Sequence, residues 1–149
     1  MGEAAQAGTP MDIAQRVSAA MYANDRATRA LGISVLETAP GHATLLMTVR
    51  EDMLNGHDIC HGGLIATLAD SAFAYACNSY NEMTVASGFA IELLAPARLG
   101  DVLEARCSEI SKSGRTGVYD TEVRNQRDER IAMFRGRSYT IKGKPVIAD

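Results

Sequence analysis

The stretch from Leu64 to Asn78, LIATLADSAFAYACN, contains no Lys, Arg or Glu and one charged residue, Asp70. Ile65, Leu68, Ala69, Ala72 and Ala76 recur at the spacing of one helical face, while Thr67, Asp70, Ser71, Ala74 and Asn78 occupy another. A helix that is small or apolar almost all round belongs in an interior. The remainder of the chain must therefore supply a wrapping around it. The alanines also permit close approach by a neighbouring element.

The wrapping is legible as strands. After the helix, Met83 to Pro96, Val102 to Ser111, Thr116 to Asn125 and Glu129 to Ile141 read as four longer strands, separated by turns at Arg98-Leu99-Gly100-Asp101, Ser113-Gly114 and Arg127-Asp128. Before it, Ile33 to Leu36 and His42 to Arg50 read as two short strands joined through Pro40-Gly41. Ile13, Val17, Ala20 and Met21 predict an amphipathic helix from Pro10 to about Leu31, stopped near Gly32. One buried helix followed by a strand meander is an α+β pattern, without the βαβ alternation of a parallel sheet. The length of 149 residues fits one domain, over 11–149, with residues 1–10 as a flexible N-terminal tip. The run from Arg124 to Arg130 is expected to be a solvated hairpin tip.

Charge and composition exclude several function classes. Fifteen basic against 18 acidic residues, a net charge of −3, give no global attraction for nucleic acid or an anionic membrane. The absence of Trp and an aromatic content of 5% argue against a stacking platform for bases. No secretory leader pattern opens the sequence, and no apolar run approaches the length of a membrane span. Cys60, Cys77 and Cys107 are widely spaced and odd in number, which points to a reducing compartment and a cytoplasmic protein.

Asp70 is the residue that needs explaining, because an ionised carboxylate in an apolar helix is costly without a compensating group. It is either a structural Asp bonded to backbone or a neighbouring helix, or a base or nucleophile tuned by its surroundings. The start of the same helix bears on the choice. His61-Gly62-Gly63 puts two residues without side chains where unsatisfied N–H groups and the positive dipole end attract developing negative charge. Asn55 and Asn78 add amides able to orient a water or a carbonyl, although Asn55-Gly56 is also a turn signal. A carboxylate, an oxyanion-type helix terminus and an amide are the parts of a hydrolytic acyl-transfer site. Gly62 and Asp70 are separated by about 12 Å along one helix. One carbonyl cannot readily meet both, so they would cooperate only across a two-fold interface, Asp70 of one chain beside the helix terminus of another.

Other constellations are weaker. His57 and His61 have an H-x-x-x-H spacing, but Asp58 follows the first His and the glycines imply a loop, so no metal is expected. Cys60 beside His61 reads as a packed, inert thiol, and Ser71 lacks the G-x-S-x-G elbow of serine hydrolases.

Asn55, Cys60-His61-Gly62-Gly63, Leu68-Ala69-Asp70 and the helix through Asn78, with the turn Ala95-Pro96-Ala97-Arg98-Leu99-Gly100-Asp101, closely resemble the hotdog-fold acyl-CoA thioesterases of the phenylacetate-degradation family. The resemblance runs from about Met11 to Ile141. It implies a long central helix wrapped by a five- to six-stranded antiparallel sheet, dimers pairing into homotetramers, and a site at the dimer interface. It further implies hydrolysis of aryl acyl-CoA thioesters, phenylacetyl-CoA or hydroxyphenylacetyl-CoA, with coenzyme A entering as part of the substrate and no separate cofactor. By this resemblance Asp70 is the general base or nucleophile, Gly62 with Asn55 polarises the carbonyl, and His61 contacts the leaving thiol or holds the loop. Gly63, Ser87 and the turn Ser113-Gly114-Arg115-Thr116 beside Lys112 would bind substrate, with Arg98, Arg137 and Lys142 as alternative phosphate partners. Two readings compete: an enoyl-thioester hydratase or dehydratase, and a non-catalytic acyl-CoA-binding module.

Overall fold

The computed structural model describes residues 8–148. The central element is helix α3, Gly62–Cys77, and its apolar face (Ile65, Leu68, Ala69, Ala72, Phe73 and Ala76) is buried. It lies against one six-stranded antiparallel sheet of order β1-β2-β4-β5-β6-β3. The strands are β1 Ser34–Ala39, β2 His42–Thr48, β3 Thr84–Leu93, β4 Val102–Ser113, β5 Thr116–Arg124 and β6 Arg130–Thr140. The helix and the strand meander therefore agree with the α+β hotdog architecture, and the sheet has six strands. Alternation along β5 and β6 turns Tyr119, Thr121, Val123, Ala132 and Phe134 toward the helix. Phe73 anchors the helix to this face, with ring centroids 5.5 Å from Tyr119 and 5.8 Å from Phe134. Its seat exists because residue 136 is Gly: a Cβ there would stand 2.9 Å from the Phe73 ring.

The N-terminal region departs from the single helix that its periodicity predicts. Helix α1 spans Pro10–Asn24 and α2 spans Arg26–Ala30, with Asp25 extended between them. The break arises because Asp25 starts a new helix as its N-cap, accepting from the Thr28 N–H, while its other oxygen accepts from the hydroxyls of Thr28 and Tyr75. Gly32, at φ +69°, ends this region as expected. Thr9 and Pro10 belong to the fold: Thr9 caps α1 in a capping box with Asp12, and Pro10 opens the helix. The remainder of the N-terminal tip, residues 1–7, lies outside the described residues.

Register fixes two ends of the sheet relative to α3. At one end Leu93, Ala132, Val123 and Ala105 lie in register, and Leu93 sits against Gly62 at the helix start. At the other end Thr84 pairs with Thr140 and Tyr139 with Thr116, and the Asn78 side chain ties Thr84 to the helix C-terminus. Strand β3 is an open edge, and it leaves Val85, Phe89 and Leu93 exposed by 46%, 49% and 53%. Among the described residues no helix is long and apolar enough to cross a membrane.

Candidate active site

The loop entering α3 is built by one side chain. Asn55 Oδ1 accepts the N–H groups of His57 (2.9 Å) and Ile59 (3.4 Å), and backbone bonds Asn55 N–H to Ile59 O and Asp58 N–H to Asn55 O close the loop. Asp58 takes the left-handed conformation at φ 59°. The same device recurs at the β5–β6 tip, where Asn125 Oδ1 accepts from Arg127 and Glu129 and Asp128 stands at φ 63°. The shared geometry assigns Asn55 Oδ1 to loop closure. Its Nδ2 group has no partner among the described residues and Asn55 lines the adjacent cleft, so the side-chain donor is the half of the amide that a substrate carbonyl can use.

Two backbone bonds fix where this loop delivers the helix. Cys60 N–H donates to Ala97 O (2.8 Å), and His61 N–H donates to Met53 O (2.9 Å). His61 then occupies the N-cap of α3 without a side-chain capping bond, its carbonyl accepting from Leu64 and Ile65. The N–H groups of Gly62 and Gly63 consequently have no partner among the described residues. Gly62 lines a cleft of about 480 Å³ between the loop Asn55–Cys60 and the segment Leu93–Ala97, whose walls are largely Ile59, Ile65, Leu93, Leu94 and Pro96. A Cβ at Gly62 would collide with the Leu93 side chain, whereas the space at Gly63 is open. The His61 ring is exposed and lies outside the residues that line the cleft.

Asp70 stands two turns along, on the Ala66–Asp70–Ala74 ridge, which remains half-exposed while its neighbours are buried. Its carboxylate has no hydrogen-bond partner within the described residues, and burial raises its pKa above the ordinary aspartate value. Nothing among the described residues plays the structural partner that a packing role for Asp70 requires. Asn78, by contrast, is structural: it donates to the carbonyls of Ala74 and Thr84 and accepts from Thr84 N–H, so its amide is fully used and is not free to orient a water or substrate.

The remaining sequence-derived residues lie elsewhere. Ser87 occupies the β-bulge of β3, donating to Arg137 O, and six residues of strand put it about 20 Å from Leu93 and the Gly62 end. Ser113-Gly114-Arg115-Thr116 forms the β4–β5 hairpin at that same far end, with Gly114 at φ +59° and Arg115 Nη1 3.3 Å from the Tyr139 hydroxyl. One chain thus brings together Asn55, His61, Gly62 and Gly63, holds Asp70 mid-helix, and carries Ser87 and residues 113–116 at the opposite end. Of the alternative cations, Arg137 and Lys142 share the far end, while Arg98 lies beside the helix start. The cleft wall Leu93–Ala97 escaped the sequence reading, although the Ala95-to-Asp101 turn was visible as a motif. The buried thiol of Cys60 is pushed up in pKa by desolvation, consistent with an inert packing role.

Comparison with known proteins converges on one family. Residues 57–132 match the family model of the thioesterase superfamily. A protein of Escherichia coli (strain K12), the acyl-coenzyme A thioesterase PaaI, is 48% identical over 124 residues, covering 83% of this chain and 89% of its own. The structure of the E. coli PaaI protein from the phenylacetic acid degradation operon superimposes with a TM-score of 0.89 at 44% identity, covering 91% of this chain and 99% of the other. A protein from Thermus thermophilus superimposes with a TM-score of 0.76 at 38% identity, covering 79% and 99% respectively.

Proposed function

This chain belongs to the thioesterase superfamily, and from that premise we propose that it hydrolyses aryl acyl-CoA thioesters, phenylacetyl-CoA or a hydroxyphenylacetyl-CoA, to the free acid and coenzyme A. It is a thioester hydrolase, and the observation that carries the reading of its site is the pair of unpartnered N–H groups at Gly62 and Gly63, beside an apolar cleft. The thioester oxygen accepts from Gly62 N–H and from Asn55 Nδ2, at the positive end of α3, where charge develops during attack. The apolar walls accept an aryl group, and the likeness to a thioesterase of the phenylacetic acid degradation operon supports that class.

The nucleophile centre is Asp70. It takes a proton from water as the water oxygen attacks the carbonyl carbon; collapse then breaks the C–S bond, and the proton passes to the departing thiolate. In the nucleophilic variant, Asp70 forms a mixed anhydride that water hydrolyses. In single turnover in ¹⁸O-water, label in the Asp70 carboxylate identifies the anhydride route, with water attacking the Asp70 carbonyl, because the general-base route puts solvent oxygen only into the released acid. The leaving thiol departs toward the solvent side of the helix start, where the exposed ring of His61 would meet it.

The complete site takes two chains. Gly62 and Asp70 lie about 12 Å apart on one helix, and the open β3 edge exposes Val85, Phe89 and Leu93, the kind of apolar edge that a second copy covers. A homodimer joined there, pairing further into a homotetramer, brings Asp70 of one protomer beside the helix start of its partner. At the far end Arg115, Arg137 and Lys142 have no carboxylate partner among the described residues, whereas Arg124, Arg127 and Arg130 are all ion-paired. We assign the coenzyme A phosphates to those free cations, with Ser87 and the 113–116 turn alongside. The three free thiols suit a cytoplasmic setting. The test is free thiol release across a panel of aryl and alkyl acyl-CoA substrates. Aryl preference with loss of turnover in Asp70→Asn is expected. Hydration of enoyl-CoA without thiol release, or tight binding without turnover, would overturn the assignment.

A further inference from the structure

Asp101 is the one buried carboxylate among the described residues, 4% exposed, and nothing in the reaction uses it. Its Oδ2 accepts from Arg98 N–H (2.9 Å), and its Oδ1 accepts from Gln126 Nε2 (2.9 Å) and Arg127 Nη1 (3.3 Å). Its backbone carbonyl accepts from Val49 N–H, and Gln126 Oε1 accepts from Val102 N–H. The carboxylate therefore joins the Arg98–Asp101 turn to the β5–β6 tip, and the backbone carbonyl of the same residue ties both to the end of β2. Burial alone would raise its pKa, but these donors and the Arg127 charge outweigh that and hold it below the ordinary value.

The turn it pins is the one that supports the oxyanion loop. Ala97, fully buried, precedes Arg98 directly, and its carbonyl accepts from Cys60 N–H, two residues before Gly62. Among the described residues, only His61 N–H to Met53 O otherwise ties the backbone of residues 55–61 to the preceding or facing segments. Ala95 to Ala97 also form one wall of the cleft. We propose that Asp101 is a positioning residue: through the Arg98 amide and the Ala97 carbonyl it fixes the Gly62 and Gly63 N–H groups and the facing cleft wall in the geometry that the transition state needs. The proposal rests on the thioesterase reading for its kinetic consequence and on the chain's own hydrogen bonds for its structural one. A displacement of about 1 Å at such donors costs on the order of 10²-fold in rate.

Asp101→Asn leaves one oxygen for two sides: turned to Arg127 and Gln126 Nε2 it sets the side-chain NH₂ against Arg98 N–H, and turned to Arg98 it sets the NH₂ against Gln126 Nε2, two donors face to face either way. Gln126 cannot turn over without losing Val102 N–H. Adding Gln126→Glu supplies an acceptor to both, so the double variant should restore the latch. On aryl acyl-CoA, the expected results are a kcat reduced by about 10-fold or more in Asp101→Asn, a smaller rise in KM from the loosened aryl wall because the phosphate-binding end is untouched, an unchanged acid limb of the pH profile, and recovery in the double variant. Amide exchange of Cys60, read in the intact assembly, should accelerate in Asp101→Asn and return to the wild-type rate in the double variant. Gln126→Ala serves if Asp101→Asn does not assemble; it should give the same changes in smaller measure. A folded single variant with wild-type kcat, or with wild-type Cys60 exchange, overturns the latch. An inactive wild type would overturn the thioesterase reading instead, and the exchange data alone would then decide the latch.

Discussion

A two-chain site has a numerical signature in mixed assemblies. Asp70→Asn removes the carboxylate. Gly62→Pro removes the N–H donor at a position suited to proline, because Gly62 is the first residue of α3 and His61 before it sits at φ −53°, ψ 131°, the extended conformation proline requires of its predecessor. The added Cβ would crowd the flexible end of Leu93. When the two variants are dissociated, mixed equally and reassembled, about half of the dimers are hybrids, and each hybrid carries one intact site of two if the site spans the interface. Activity should then rise from near zero to about one quarter of wild type. If each chain carried its own complete site, the mixture would stay inactive. The converse mixture, wild type with the Asp70→Asn/Gly62→Pro double variant, should retain about one quarter of wild-type activity for an interface site and about one half for a single-chain site. Thiol release at fixed total chain concentration, with light scattering to establish assembly of each variant, reads both. An inactive single-variant mixture together with half activity in the converse one would refute the 12 Å argument.

Asn55→Asp keeps an oxygen to accept from His57 and Ile59 but deletes the Nδ2 donor, so the fold should persist while kcat drops by about 10²–10³; circular dichroism and steady-state kinetics check the split. Burial raises the Asp70 pKa, so the acid limb of kcat/KM should lie above the ordinary aspartate value and disappear in Asp70→Asn. The same shift has a stability sign: the folded chain holds that proton more tightly than the unfolded one, so ionisation costs stability as pH rises through the folded pKa. Asp70→Asn should therefore raise Tm at pH 7 and match wild type in acid below about pH 3.9. Phe73→Ala, which empties the space against Gly136, Tyr119 and Phe134, should cost about 3–5 kcal/mol in denaturant unfolding. Phe89→Lys on the open β3 edge should shift the assembly toward monomer and abolish turnover with it, as sedimentation would record.

The sequence by itself determined the elements whose signal is local. The charge-free periodicity around Asp70 marked the buried helix, alternation and turn residues marked six strands, and Gly62-Gly63 marked a helix start without side chains. It misjudged Asp25, because an N-cap in mid-pattern looks like one polar residue on a continuous helix until Tyr75 and Thr28 are seen to claim its carboxylate. It misjudged Asn78 for the same reason: a free amide and one spent on Ala74 and Thr84 are identical in one dimension. Only the tertiary structure decided which half of the Asn55 amide is free, that Leu93–Ala97 walls the cleft, and that Asp101 reaches the loop entering α3 through Arg98, Ala97 and Cys60. The Asn55 bonds are local, but the cleft wall and the Asp101 link depend on contacts between segments roughly 25 to 40 residues apart. Local backbone preferences carry no record of such contacts, since they arise when the sheet's register brings separate loops to one end of the helix.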